Sequence, residues 1–136
     1  MVIQAYIRVL SDEATIHAIH KETNIRSASV NRLKARRGKL GEDFWWNWGT
    51  PYTTIDTDNP DDGIKAMLYA HKPIFPIIRK YVGSNTDAYL EIVVRYAQGD
   101  DPLGLCLSAE TILLVSELGG AVDIDAVLLV EESQSN

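Results

Sequence analysis

The sequence predicts a single α+β domain over residues 1–136, with a sheet of about four strands, mostly antiparallel or mixed, and helices packed mainly on one face. Three observations predict it. Apolar and polar residues alternate at period two in "VIQAYIRVL", "DAYLEIVVRYAQ" and "AVDIDAVLLV". Between these stretches lie helix-entry signals, at Ser11, at Asn59-Pro60 and at Ser108. The chain has 136 residues, 46% of them apolar, enough for one core and too few for two.

The elements follow in the order strand, helix, strand, helix, strand, helix, strand. In the first strand Ile3, Ala5, Ile7 and Val9 take one face and Gln4, Tyr6 and Arg8 the other. Ser11 is placed as the N-cap of a helix to about Glu22 that buries Ala14, Ile16, Ala18 and Ile19 only unevenly, with Asp12 and Glu13 at its positive end. The stretch from Ile25 to Gly41 has no apolar rhythm and reads as a long loop. "FWWNWGT" is the second strand: Phe44, Trp46 and Trp48 form a core face, while Trp45, Asn47 and Gly49 face away. After Asn59 and Pro60, Ile64, Met67 and Leu68 recur at helical spacing, and Pro73 interrupts that helix near Lys72 before it resumes toward Gly83. In the third strand Ala88, Leu90, Ile92 and Val94 oppose Tyr89, Glu91, Val93 and Arg95. Ser108 caps "AETILLVSEL", which Gly119-Gly120 closes before the last strand, and residues 131–136 form a polar tail expected to fray.

Net charge is −6, but its layout is polarised. Arg26, Arg32, Lys34, Arg36, Arg37 and Lys39 occur with no acid among them, and from Asp100 onward there are eight acids and no Lys or Arg. Either the asymmetry serves a partner or the two segments face each other in the fold. An acidic chain disfavours nucleic acid, which is bound by neutralising phosphates, although "RLKARRGKLGEDFWWNW" does mix bases with stacking rings. No apolar run reaches the ~20 residues of a membrane helix, and no secretory signal opens the chain, so a cytoplasmic protein is expected. The lone Cys106, between Leu105 and Leu107, reads as a small core thiol.

The candidate ligand or partner surface is the sheet face away from the helices: Arg8, Glu91, Arg95, Asp123 and Asp125, with Trp45 as the tryptophan left to meet a ligand. Such a face either binds a polar ligand or is a solvated surface of weak cross-strand ion pairs. Asp123 and Asp125 could supply half of a Mg²⁺ or Ca²⁺ site, but two acids do not hold such an ion alone, and Arg8 or Arg95 could neutralise them. Glu13, His17 and His20 share a helix face, with His71 a conceivable fourth ligand, yet the i, i+3 histidines depart from the usual helical zinc spacing. No metal or cofactor is therefore expected. No phosphate loop, Ser-His-Asp set or Cys-His pair supports an enzyme.

Leu107–Ser108–Ala109–Glu110, Gly119–Gly120 and Asp123–Ile124–Asp125 form a leucine-rich capped helix running through glycine into an Asp-x-Asp strand. In this the chain resembles the family catalogued as domain of unknown function 4279, small and mostly bacterial proteins. The resemblance is sharpest over residues 103–130. It implies the fold above and carries no established activity. Small size, acidity and the lack of a catalytic set favour a non-catalytic binding protein, most concretely an immunity-type protein that masks a basic toxin. The alternative is a small-molecule or nucleic-acid binder using the open face and a tryptophan.

Overall fold

A computed structural model of the protein describes residues 1–34, 44–100 and 104–129. Expectations for Arg36, Arg37, Lys39, the Phe44 side chain and the tail 131–136 fall outside what is described. The described residues form strands β1 (Val2–Ser11), β2 (Ser29–Lys34), β3 (Phe44–Gly49), β4 (Thr53–Ile55), β5 (Asp87–Ala97) and β6 (Ala121–Leu129). The helices are α1 (Glu13–Thr23), α2 (Pro60–His71), α3 (Phe75–Tyr81) and α4 (Ala109–Leu118). The architecture is α+β, with six strands where four were expected.

The sheet runs β2-β3-β1-β5-β6, with β4 also on β1. All pairs are antiparallel except β5 with β6. Strand β1 is the axis. One edge pairs with β5 from Val2↔Arg95 to Leu10↔Asp87. The other is shared by β3, against Arg8–Ser11, and β4, against Ile3–Ala5. Between those two partners Thr50 keeps the ladder closed: its N–H donates to the Ile7 carbonyl and its Oγ1 accepts from the Ile7 N–H, both at 3.0 Å. Pro51 follows, where a continuous strand would need a donor that proline lacks.

The loop expected over Ile25–Gly41 is corrected in part, because Ser29–Lys34 is edge strand β2, paired along β3. Its polarity follows from its place: an edge strand needs little apolar surface, and only Val30 packs partly on the core. The first helix is capped not by Ser11 but by Asp12, which accepts from the Thr15 N–H at 2.8 Å. Ser11 remains in β1, buried and hydrogen-bonded to Thr86. Ala14 is exposed rather than buried. Asn59 precedes α2 without a side-chain cap bond, and Pro73 produces the predicted break, a 3₁₀ turn at Lys72–Ile74 between α2 and α3. Ser108 caps α4 as predicted.

The core joins Ile3, Ile7, Trp48, Leu90 and Ile92 of the sheet to Ile16, Ile19, Ile64, Leu68, Ile78 and Leu118 of the helices. Burying Trp48 alone is worth roughly 4–6 kcal/mol at about 25 cal/mol per Å². Helices α2 and α4 are also tied by Asp61, which accepts from the Ser108 N–H at 2.9 Å and the Thr111 hydroxyl at 2.7 Å. Cys106 corrects another expectation: it is exposed, because in this extended segment Leu105 and Leu107 turn to the core and the residue between them turns out. No helix among the described residues is long and apolar enough to cross a membrane.

Gly119 closes α4 in the left-handed conformation at φ 78°, and Gly120 then brings the start of β6 against β5. A Cβ at Gly120 would lie 2.9 Å from the Ala88 carbonyl oxygen, whereas one at Gly83 would meet nothing within 4 Å. Gly120→Ala should therefore cost about 1–3 kcal/mol, with Gly83→Ala close to neutral. Urea unfolding of the two variants beside the parent chain measures the difference.

Candidate functional site

Period-two geometry on β1 and β5 sends one set of side chains to the helices and leaves the other on a face that none of the described helices covers. On this bare face lie Gln4, Tyr6 and Arg8 from β1, and Tyr89, Glu91, Val93 and Arg95 from β5. Asp123 and Asp125 reach it from β6, and Asn47 and Gly49 from β3. Asn31 sits opposite Asn47 on β2. Two chemically distinct halves result.

The first half is an acidic cluster. Glu91 pairs with Asp123 in the parallel ladder and Val93 with Asp125, so three carboxyls meet on one side of the β5–β6 pair. One oxygen from each lies within 4.8 Å of the others. Glu91 is 1% exposed, Asp123 is half-buried and Asp125 is open to solvent. Burial, then hydrogen bonding to Asp125 and Asp123, then their negative charge push the Glu91 carboxyl up to about 9. The expectation that Arg8 or Arg95 neutralises the aspartates is not met: among the described residues no ion pair joins either arginine to them. Arg8 is drawn the other way, and Arg95 sits farther along β5, level with Val2 and Val127.

The second half is a groove of about 230 Å³ across β1, β2 and β3. Arg8 Nε donates to Asn47 Oδ1 at 2.6 Å, and Asn47 Nδ2 donates to Asn31 Oδ1 at 3.1 Å. This relay fixes the amides and leaves the Arg8 terminal nitrogens and the Asn31 amide nitrogen as available donors. Tyr6 and Tyr52 meet edge to face at 4.6 Å and form the wall. Gly49 lets the Tyr6 ring lie close, since a Cβ there would be 3.2 Å from it. Burial holds the Tyr6 phenol up to about 12 against the pull of Arg8, so it remains an O–H donor. The groove thus offers donors and rings, a lining suited to a carboxylate, phosphate or carbonyl.

The predicted residues are gathered only in part. Glu91, Asp123 and Asp125 meet, and Arg8 enters the groove. Trp45 is on the bare face and half-buried, but it lies past the Ser11 end of β1, whereas Asp125 is level with Gln4. It shares the sheet face of Arg95 and Asp125 and stands near the groove, opposite Leu33. Trp48 is wholly buried and Trp46 packs on the core. Asn31 and Tyr52 were missed; Val30 and Leu33 stand three apart, so no period-two pattern marked Asn31. Two of the histidines serve other ends. His17 lies 3.7 Å from Glu13 and meets the Trp46 ring at a tilt, with centroids 5.2 Å apart, and His71 Nδ1 donates to the Met67 carbonyl at 2.9 Å. The described parts of the basic and acidic segments that lie in strands are apart: β2 and β6 are opposite edges of the sheet, with three strands between them.

The folded chain holds a proton on Glu91 that the unfolded chain releases above the ordinary value of 4.5. Stability should consequently fall as pH rises from that value toward 9, since folding then binds a proton. Glu91→Gln mimics the protonated form. In EDTA it should match the parent at about pH 5 and exceed it by on the order of 1–3 kcal/mol at about pH 8. Urea midpoints at the two pH values measure this; equal pH slopes in both proteins would remove the case for a protonated Glu91.

The model of a family described as a domain of unknown function, DUF4279, matches residues 1–129. No curated protein and no solved structure matches. The match takes in every strand and helix described above, including the capped helix and Asp-x-Asp strand that carried the resemblance, and the chain belongs to the DUF4279 family.

Proposed function

We propose that the protein is a non-catalytic binding protein whose bare sheet face is its recognition surface, and that the groove beside Arg8 takes a small polar ligand or chain segment through an anionic or carbonyl group. The observation that supports this most is the Arg8–Asn47–Asn31 relay, which holds donors in place with nothing of the described chain to receive them. Fixed donors in a groove walled by tyrosines cost little further ordering when a ligand arrives. Among the described residues the same face pairs no nucleophile with a base, which suits capture rather than turnover.

A second reading is favoured by charge. The chain is net −6, and edge strand β6 carries Asp123 and Asp125 with no described base paired to either. A cytoplasmic immunity-type protein would use such an edge to capture a basic toxin, since complementary charge speeds encounter.

Titration of nucleotide, oligonucleotide and metabolite panels, followed by tyrosine and tryptophan fluorescence and by calorimetry, decides the first reading. At least one anionic compound should saturate, and Arg8→Gln should weaken it by about tenfold or more; a flat response throughout overturns it. For the second, the immobilised chain should retain a basic protein from its native host at about 50 mM salt and release it near 500 mM. Asp123→Asn/Asp125→Asn bait should retain less, and failure to recover any stable basic partner counts against immunity.

A further inference from the structure

We propose that Glu91, Asp123 and Asp125 bind a divalent cation of the hard, oxygen-seeking class, with Ca²⁺ the best fit. This goes beyond the groove reading and does not depend on it. Three carboxyl groups from two neighbouring strands present oxygens within 4.8 Å of one another. Oxygens within that limit fit around Ca²⁺ at about 2.3–2.6 Å, and Ca²⁺ accepts irregular geometry where Mg²⁺ demands a near-ideal octahedron. The separate observation is Glu91 Oε2: its residue is 1% exposed, the atom is shielded from solvent, and it has no hydrogen-bond partner. A buried carboxyl oxygen without a partner is costly, and one aimed at two further carboxylates is costlier. A proton can bridge one oxygen pair; a divalent ion answers all three groups and compensates their charge. The sheet prepares the arrangement, because the parallel register sets Asp123 beside Glu91 and places Asp125 on the same face one step farther. Asp125, being exposed, leaves the outer side of the ion to water or to an oxygen of a ligand.

The position along the chain also suits a cation. No Lys or Arg is paired with the cluster among the described residues, so an entering ion displaces no internal cation. Tyr89 stands on the same face, two residues from Glu91, close enough for the Asp123 charge to raise its phenol after burial and Asp87. Its ring can therefore report a luminescent ion in the site.

The test uses the full chain, stripped with EDTA and desalted. Calorimetric titration with CaCl₂ near pH 8 should show one saturable site with a dissociation constant of about 10⁻⁴–10⁻³ M, the range of modules with few charged ligands. Mg²⁺ should bind more weakly, and Tb³⁺ should give tyrosine-sensitised luminescence that Ca²⁺ displaces. Glu91→Gln should reduce Ca²⁺ affinity at least about tenfold. Asp125→Asn, at an exposed position that the fold does not need, should do the same if Glu91→Gln proves unstable. Glu117→Gln, on α4 and paired with Lys72, should leave binding unchanged. Absence of saturation up to about 20 mM Ca²⁺ or Mg²⁺ overturns the site, as does unaltered affinity in Asp125→Asn.

Discussion

The ladder between β1 and β5 is the constraint on which the rest depends. It joins Val2–Leu10 to Asp87–Arg95, across most of the chain, and it assigns every side chain on both strands to one face. A slip of one residue would send Arg8, Glu91 and Arg95 into the helices and put Ile7, Leu90 and Ile92 into water. The buried set on the helix side makes that slip prohibitive, since each large apolar side chain loses about 1.5–3 kcal/mol on exposure. The face that carries the candidate site is thus fixed by residues that never touch it.

The two halves of the site inherit their chemistry from what each strand has as a neighbour. On one edge of β1, strand β3 offers Asn47 and Gly49, a hydrogen-bonding amide and a gap, so Arg8 swings toward it and Tyr6 closes over it. On the other edge, β5 and β6 run parallel, which requires the crossover through α4 and sets acids of β6 alongside Glu91 without an intervening base. Donors and acceptors are therefore sorted to opposite sides of one strand. Arg8 cannot serve both, and its bond to Asn47 leaves the carboxyls uncompensated.

Strands β1, β5 and β6, the broken helix at Pro73 and the cap at Ser108 were legible because each rests on local chemistry: alternation, ring closure, a side-chain acceptor. The bare face was legible for the same reason, as Arg8, Glu91, Arg95, Asp123 and Asp125 follow from period two. What the sequence withheld was adjacency. Strand order alone decides that Glu91 joins the Asp-x-Asp pair while Trp45 ends far from it. Edge strand β2 was illegible because Ser29, Asn31 and Arg32 have no core to mark them, and β4 because three residues are too few to show a period. Ser11 was misread as a cap since the strand runs on past the apolar alternation, held by the Trp46 pairing rather than by its own propensity.

Val93 shows that the fold did not require an acid at position 91. It stands two residues along the same strand, on the same face, 8% exposed against 1% for Glu91. An apolar side chain is evidently at home in that environment, and a neutral one at 91 would escape the cost of desolvating a carboxyl. Nor, among the described residues, does Glu91 offset that cost by an ion pair with a cation, and its Oε2 has no hydrogen-bond partner. A group that weakens the apo fold at neutral pH, buried where its neighbours are acids, has its physical rationale in something that arrives from outside. The same reasoning does not extend to Asp125, whose exposure makes it inexpensive on any account. The weight of a functional reading of this face rests on Glu91, because Glu91 alone among the three has a cost that folding does not explain.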